Sequence, residues 1–384
     1  MNNCINNELK KTACYIHIPF CDHKCIYCDF YSIITTESIN SFLESLKTEI
    51  SFYSEKYSGG RELISIYFGG GTPSLMEPGY IALILERVGK SFNVRNDAEI
   101  TMETNPGTVD ESKLREFKNI GINRLSVGIQ SFNDNELRFL TRIHDSKTAV
   151  ETVENADSAG FNNISLDLIF NLPKQTKKKW ISNLQQAVKL PVKHISAYSL
   201  ILERGTILNK MILDGKVKMQ DDDHDANLYE TTIDFFETNG FHQYEVSNFS
   251  FPGYECLHNI SYWNYTDYFG FGTSAHSFID NRRWWNFSSA KRYIAVVRER
   301  GNAVAGSEEL SVIQNHNEYV MLALRSSGIK LSEYNRRFGN DWLKEKNRYL
   351  QKLKNDNLIT VNDDHIRLTK RGYAVCDEIL QNIL

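Results

Sequence analysis

Short apolar runs alternate with segments of helical spacing over the first half of the chain. In one such segment Phe42, Leu46 and Ile50 recur every four residues, which is typical of a helix with one buried face. The pattern predicts six strands, at residues 13–18, 63–68, 99–103, 124–129, 163–170 and 194–200. It predicts helices between them, at residues 37–53, 78–88, 111–119, 134–140, 147–159 and 177–188.

A strand–helix order that repeats in this way predicts a parallel sheet, because parallel neighbours need long crossover connections. Eight such units close the usual barrel, so six favour an α/β fold in the form of a partial (β/α)6 barrel. Glycine-rich or polar clusters, such as residues 69–73 and 105–107, directly follow predicted strands. The carboxyl ends of parallel strands meet at one edge, so we expect these clusters to share a pocket.

The pattern changes after about residue 205. Residues 205–239 have helical spacing, with a run of acidic residues at 221–225 that we interpret as a solvated helix start. The last segment predicts two helices, a hairpin and a helix, in a winged-helix-like order, at residues 317–325, 342–355, 358–361, 365–368 and 370–383. We therefore divide the chain into an N-terminal segment, a core, an aromatic segment and a winged-helix-like α+β domain, at residues 1–14, 15–240, 241–305 and 306–384.

The composition predicts a cytoplasmic protein. Hydrophobic residues make up 41% of the 384 residues, yet no apolar run approaches the ~18 residues of a membrane span, so we expect at most transient membrane association. Residues 1–12 lack the apolar core of a signal peptide. The net charge of −4 is spread over interspersed acidic and basic residues, which argues against a nucleic-acid partner. Cys4, Cys14 and Cys376 are expected to be ordinary reduced thiols.

Three cysteines, Cys21, Cys25 and Cys28, lie within eight residues just after the first predicted strand. Thiolates this close together repel one another unless a cation gathers them, so the loop predicts a metal or iron–sulfur site. Structural zinc is the alternative, but tetrahedral zinc needs four ligands and usually takes them from a second Cys/His pair. Three thiolates suit a four-iron cubane with one open iron, because Asp29 is a poor ligand for such a cluster.

Residues near the other strand ends have the chemistry of a small-molecule site. The three glycines at residues 69–71 allow a ligand to approach the backbone closely. Glu103 can hold a ribose hydroxyl or an amino group. The same edge of the sheet also has an amide, a guanidinium and a carboxylate, which belong to Gln130, Arg142 and Asp167.

With these motifs the chain resembles the radical S-adenosylmethionine (SAM) superfamily and, within it, the oxygen-independent coproporphyrinogen III oxidase family. The likeness runs from Tyr15 to the C-terminus and includes residues 69–74, 103–107, 121–126, 128–132, 142–144 and 167–169. It implies a [4Fe–4S] cluster on the three cysteines and SAM on the open iron. The SAM contacts that it implies are Tyr15, Tyr27, Gly71, Thr72, Glu103, Gln130, Arg142, Asp167 and Ala197.

Two departures separate the chain from the oxidases of that family. The oxidases carry a fourth cysteine where Asp29 and Phe30 stand here, and they have a longer extension before the position of Tyr15. Residues 258–263, His-Asn-Ile-Ser-Tyr-Trp, instead match the HNxxYW motif of the heme chaperones in the same family.

The resemblance to those chaperones implies a heme site near this motif. His258 would then be an axial ligand of the heme iron, while Tyr262 and Trp263 would flank the macrocycle. Cys256 and His276 are the alternative ligands.

The function that follows is a heme chaperone. It would bind heme, a [4Fe–4S] cluster and SAM, and it would transfer heme to an apo-hemoprotein of the respiratory chain. The first alternative is a coproporphyrinogen III oxidase that decarboxylates propionate groups by radical chemistry, and the second is a radical SAM enzyme that modifies heme. Whether the protein is an enzyme therefore stays open at this stage.

Overall fold

A computed structural model describes residues 9–384, so Cys4 and residues 1–8 of the predicted N-terminal segment lie outside the described residues. All six predicted strands are present and pair in parallel in chain order. They are β1 (Lys10–Ile18), β2 (Arg61–Gly70), β3 (Val94–Thr104), β4 (Arg124–Gln130), β5 (Ile164–Phe170) and β6 (His194–Ser199). Because β1 and β6 do not pair with each other, the barrel is open, as the sequence predicts.

The crossover helices cover the outer face of the barrel. They are α1 (Ile39–Tyr57), α2 (Pro78–Ser91), α3 (Glu111–Asn119), α4 (Asp134–Phe139), α5 (Ser146–Ser158) and α6 (Lys177–Ala187), and a short 3-10 turn spans Pro73–Leu75. Leu46, Ile84, Phe117 and Trp180, one from each of four helices, are fully buried in the main core. Each large apolar side chain buried in this way contributes about 1.5–3 kcal/mol to folding.

The inner face of the barrel is polar. Ser126 on β4 pairs with Ser165 on β5, which pairs with His194 on β6, and Asp167 pairs with Ser196 in the next layer towards the carboxyl ends. Side chains of paired residues point to the same side of a sheet, so these groups project together into the barrel. The fold thus builds a hydrophilic interior inside an apolar shell.

The region after the sixth strand contains two helices separated by a loop, where the sequence analysis predicted one continuous helical stretch. They are α7 (Ile207–Leu213) and α8 (Asp222–Thr238). Gly215 has a φ of 71°, a left-handed conformation that ends α7. Asp221 accepts the backbone N–H of His224 at 2.8 Å, so the acidic run does begin a helix.

The aromatic segment extends the same sheet on both sides, which the sequence analysis did not predict. Its elements are β7 (His242–Gln243), β8 (Asn248–Ser250), α9 (Leu257–Trp263), β9 (Tyr268–Gly272), β10 (His276–Ile279), β11 (Arg282–Asn286), α10 (Ala290–Arg300) and β12 (Val304–Glu309). The sheet runs in the order β12-β11-β10-β9-β1-β2-β3-β4-β5-β6-β8-β7. A β-carbon at Gly272, whose φ is 94°, would lie 2.4 Å from the carbonyl oxygen of His17, so close pairing of β9 with β1 requires glycine there.

The C-terminal part has its own apolar core and a three-stranded sheet in the order β13-β15-β14. Its elements are α11 (Val312–Leu324), β13 (Ile329–Lys330), α12 (Leu331–Phe338), α13 (Asp341–Asn355), β14 (Ile359–Val361), β15 (His365–Leu368), α14 (Lys370–Ala374) and α15 (Cys376–Ile383). The predicted last helix is therefore two helices, which meet at Val375. Among the described residues, no helix combines the length and the apolar character that crossing a membrane requires.

Candidate functional site

The carboxyl ends of β1–β6 open into a cavity of about 610 Å³, a volume typical of small-molecule sites. Most of the predicted site residues line it, namely Tyr15, Cys21, Cys25, Tyr27, Cys28, Gly71, Thr72, Glu103, Gln130, Arg142, Asp167, His258 and Tyr262. The prediction of one shared pocket at the strand ends is confirmed. It brings together groups as far apart in the chain as Tyr15 and Tyr262.

Two predicted contact residues, Ala197 and Trp263, do not line the cavity. Ala197 lies on β6 between Ser196 and Tyr198, which both do, and adjacent residues of a strand point to opposite faces. Trp263 is the last residue of α9. The flanking role that we predicted for its ring therefore finds no support in its position.

The cysteine loop is held firmly at the cavity mouth. At the start of the loop the Cys21 N–H donates to the Ile33 carbonyl at 2.9 Å. Helix α7 also contacts the loop, because the Leu208 N–H donates to the Ile26 carbonyl at 2.9 Å. The Cys21 sulfur lies 3.2 Å from the Thr72 hydroxyl. Residues of the glycine-rich loop and of the cysteine loop are thus in direct contact.

The three thiols fit an iron–sulfur cluster better than they fit a single ion. Burial raises the pKa of the Cys28 thiol to about 11, and the charges of Cys25 and Cys21 also raise it, so three thiolates need a bound cation. Within residues 9–384, no three His, Cys, Asp or Glu side chains converge closely enough to hold one metal ion. In a cubane each thiolate binds a different iron, so the sulfurs do not need to converge on one point.

The glycine-rich loop passes very close to the cysteine loop. The Gly71 N–H donates to the Ile18 carbonyl at 2.8 Å. A β-carbon at Gly71 would lie 2.6 Å from the Phe20 carbonyl oxygen, which is a backbone atom and cannot easily move away. The glycine therefore permits the close approach of two backbones that together form one wall of the cavity.

We expect Gly71→Ala to lower the free energy of unfolding by about 1–3 kcal/mol, the usual cost of overpacking, and to weaken SAM binding. The matched control is Gly79→Ala, because a β-carbon at this exposed position in α2 would meet nothing within 4 Å. The control should be neutral or stabilising, since alanine is the better helix former. Equal unfolding free energies for the two variants, measured in denaturant, would contradict this account of the loop.

Two half-buried carboxylates, Glu103 and Asp167, line the cavity. Glu103 accepts the Tyr67 hydroxyl at 3.0 Å and the Gly70 N–H at 3.1 Å. Asp167 accepts the Ser126 hydroxyl at 3.1 Å. Burial, and to a smaller extent the nearby charge of Asp167, together raise the pKa of Glu103 to about 7. A ligand with a positive charge or with hydroxyl groups would reduce the repulsion between the two carboxylates. SAM has both an ammonium group and ribose hydroxyls.

A fixed cation lies beside these carboxylates and the cysteines. The Arg142 guanidinium donates to the Asn105 amide oxygen at 2.7 Å and to the Gly128 carbonyl at 2.8 Å, and it reaches the Cys25 sulfur at 3.5 Å. Gln130 has a φ of 72°, a left-handed conformation that is costly outside glycine. Strain of this kind concentrates at functional sites, which agrees with the position of Gln130 on the cavity wall.

We expect SAM affinity to fall about tenfold between pH 8 and pH 6, because Glu103 takes up a proton as the pH drops through about 7. The ionised carboxylate accepts hydrogen bonds from an ammonium group or a ribose hydroxyl better than the neutral acid does. Equilibrium binding should give a weak, pH-independent affinity for Glu103→Gln. The control is Glu245→Gln, because burial also raises the pKa of Glu245 to about 7 but this residue lies outside the cavity lining. A pH dependence that persists in Glu103→Gln would show that another group is responsible.

The HNxxYW motif forms α9, and two of its side chains reach the cavity. His258 is 2% exposed, and its Nδ1 lies 3.1 Å from the Ser65 hydroxyl. Its Nε2 lies 3.0 Å from the Tyr262 hydroxyl. Burial lowers the pKa of His258 to about 3, so the ring stays neutral, which is the form that binds iron. Ligation through Nε2 requires the Tyr262 hydroxyl to move aside.

The alternative heme ligands do not reach the cavity. Cys256 is fully buried beside Glu99, and burial raises the pKa of its thiol to about 12, so it remains a protonated thiol. His276 is exposed on β10, where its ring lies against Trp285. Of the three predicted ligands, only His258 lies on the cavity wall.

Several further cavity residues lie within the ranges of the strands, before their carboxyl ends, and were not predicted from the sequence, namely Tyr67, Arg124, Ser126, His194, Ser196 and Tyr198. They occupy alternate positions of β2, β4 and β6. Polar residues at every second position of these central strands were the available signal, because a barrel interior can be the polar face of a sheet.

Comparison with known proteins agrees with this site. The Radical SAM superfamily model matches residues 15–187, and the HemN C-terminal domain model matches residues 310–375. The coproporphyrinogen III oxidase HemN of Escherichia coli superposes with a TM-score of 0.83 at 24% identity, covering 99% of this chain and 91% of that one. This similarity establishes the fold.

The fold and the cysteine-lined cavity define a radical SAM protein. The heme chaperone HemW of Bacillus subtilis is 33% identical over 370 residues, which cover 96% of this chain and 97% of the relative. HemW of Lactococcus lactis is 32% identical over 380 residues, 98% of each chain. The chain belongs to the HemW heme chaperone family.

Proposed function

We propose that this protein is a heme chaperone that binds heme, a [4Fe–4S] cluster and SAM, and that it passes heme to an apo-hemoprotein. One observation carries the proposal. Helix α9 brings His258 and Tyr262 of the family motif to the wall of the cavity that the three cysteines also line. A neutral imidazole beside a cofactor cavity is suited to bind a heme iron, and an aromatic ring next to it is suited to flank the macrocycle.

The chain's own residues would hold the other two groups. Cys21, Cys25 and Cys28 would bind three irons of the cluster, and when bound the cluster would supply an open iron for the amino and carboxylate groups of SAM. Glu103 and Asp167 would orient SAM by accepting its hydrogen bonds, and the buried walls of the barrel would keep water away. No turnover of SAM is needed for heme to bind and leave.

The acceptor that we propose is an apo-hemoprotein of the respiratory chain, which the protein would meet in the cytoplasm or during a transient contact with the membrane. The cysteine loop supports a cytoplasmic site of action, because an oxidising compartment would threaten a cluster bound to its thiolates.

The test is a heme titration and a coproporphyrinogen III assay on one anaerobically reconstituted sample. We expect one heme per chain, unchanged porphyrinogen, and unchanged heme on recovery. The main competing function is that of the oxidase, whose fold this chain shares. SAM-dependent decarboxylation without stoichiometric heme binding would establish the oxidase instead. A chemically altered heme would indicate a heme-modifying enzyme.

A further inference from the structure

One buried cation in the cavity has no role in the site described above. Arg124 on β4 is 2% exposed, yet it lines the cavity. Its Nε has no hydrogen-bond partner among residues 9–384. The contact with Glu99 joins Nε and Oε2 at 3.9 Å, too long for a hydrogen bond. A buried guanidinium in this state is costly unless a ligand satisfies it.

Glu99 already accepts two backbone hydrogen bonds. Its Oε2 accepts the Leu257 N–H at 3.2 Å, and its Oε1 accepts the His258 N–H at 3.2 Å. These bonds satisfy backbone groups at the start of α9, where a carboxylate also interacts favourably with the helix terminus. Glu99 therefore fixes the start of α9, and its 3.9 Å contact leaves Arg124, which lines the cavity, without a hydrogen bond from Nε.

Arg124 lies too deep in the barrel to bind the carboxylate of a SAM molecule held at the cluster. In the register of β3 and β4, Arg124 pairs with Thr101, whereas Ser126 pairs with Glu103. Arg124 is thus two residues, about 7 Å, deeper in the barrel than the Glu103 layer. The cysteine loop lies beyond that layer on the opposite, open side. A carboxylate bound at the cluster would lie far from Arg124.

We propose that Arg124 binds a propionate carboxylate of the heme, and this inference rests on the proposed chaperone function. A guanidinium fork matches a carboxylate in geometry and charge, and it binds most strongly where water is excluded. The two propionates are the charged groups on the edge of the heme macrocycle. Glu99 contacts both Arg124 and the backbone N–H of His258, so the two residues lie near each other on the cavity wall and one heme can reach both.

The test compares iron protoporphyrin IX with its dimethyl ester, in which both carboxylates are neutral, in one detergent-containing buffer. We expect the wild-type protein to bind the diacid at least about tenfold more tightly, the ratio that a charge-assisted hydrogen bond supplies. Arg124→Gln should reduce that preference to within about threefold, and Arg124→Lys should keep part of it, because lysine keeps the charge but not the fork. The matched control is Arg61→Gln, since Arg61 is also buried and ion-paired but lies outside the cavity lining.

Each outcome decides the inference. Equal affinity of the wild type for the two porphyrins overturns it without needing any variant. A full diacid preference in Arg124→Gln also overturns it, and both results leave heme binding, and with it the proposed function, intact. Weaker SAM binding in Arg124→Gln with an unchanged porphyrin preference would assign the arginine to SAM. If neither porphyrin binds the wild type, the chaperone function itself fails.

Discussion

Cys25→Ala protein is expected to contain almost no iron–sulfur cluster after anaerobic reconstitution, whereas the wild type should contain about four irons and four sulfides per chain. The same loss is expected for Cys21→Ala and Cys28→Ala. Each cysteine would bind a different iron of the cubane, and among residues 9–384 no other cysteine lines the cavity to replace it. Iron, acid-labile sulfide and the charge-transfer absorbance measure the effect.

The matched controls are Cys256→Ala and Cys376→Ala. Both cysteines are buried, and both lie outside the cavity lining, so their variants should assemble the cluster normally. Arg142→Ala and Asp167→Ala should also keep the cluster but lose the change that SAM causes in its EPR spectrum. Bound zinc without labile sulfide in anaerobically prepared wild type would contradict the assignment.

His258→Ala is expected to change the Soret band of bound ferric heme and to weaken heme binding, because it removes the histidine that we predict as the axial ligand. His144→Ala is the matched control. His144 is also buried, and burial lowers its pKa to about 4, but it hydrogen-bonds the Ile129 carbonyl and does not line the cavity. Absorbance titration of both variants beside wild type gives the comparison.

A second substitution separates ligation by His258 from a structural role. In the heme-free protein the Tyr262 hydroxyl is hydrogen-bonded to the Nε2 of His258. Breaking such a hydrogen bond costs about 0.5–1.5 kcal/mol. Tyr262→Phe should therefore bind heme as tightly as the wild type or up to about tenfold more tightly, with the same Soret band. Loss of heme binding in Tyr262→Phe would make the phenol the ligand, and identical spectra for His258→Ala and wild type would make the histidine structural.

The six barrel strands were predictable because each is a buried apolar run flanked by a helix of clear periodicity. Strands β9–β12 were not, because they are only four to six residues long and consist largely of aromatic, glycine and charged residues. Their pairing depends on contacts with β1 and with one another, which local sequence does not encode. The break between α7 and α8 was missed because helical spacing continues on both sides of Gly215.

The candidate site was predictable where chemistry is local. The spacing of the three cysteines alone indicates a cluster site. The polar groups at the strand ends follow the rule that ligands bind at the carboxyl ends of parallel strands. Arg124 and His194, the first residues of β4 and β6, were missed because a polar residue in a strand usually faces solvent. Only the curvature of the barrel turns that face inward. Trp263 was assigned by its place in the motif, but the direction of α9 decides which motif residues reach the cavity.

The central claim is that this protein transfers heme to an acceptor protein. The kinetics of heme transfer test this claim most directly. Heme-loaded protein is mixed with increasing concentrations of a respiratory apo-cytochrome, and the absorbance of the acceptor is followed; apomyoglobin in excess gives the rate of passive heme release. We predict transfer faster than passive release, with a rate that rises with acceptor concentration because it proceeds through a complex, and with heme recovered unchanged. A rate that equals passive release at every acceptor concentration would contradict the account.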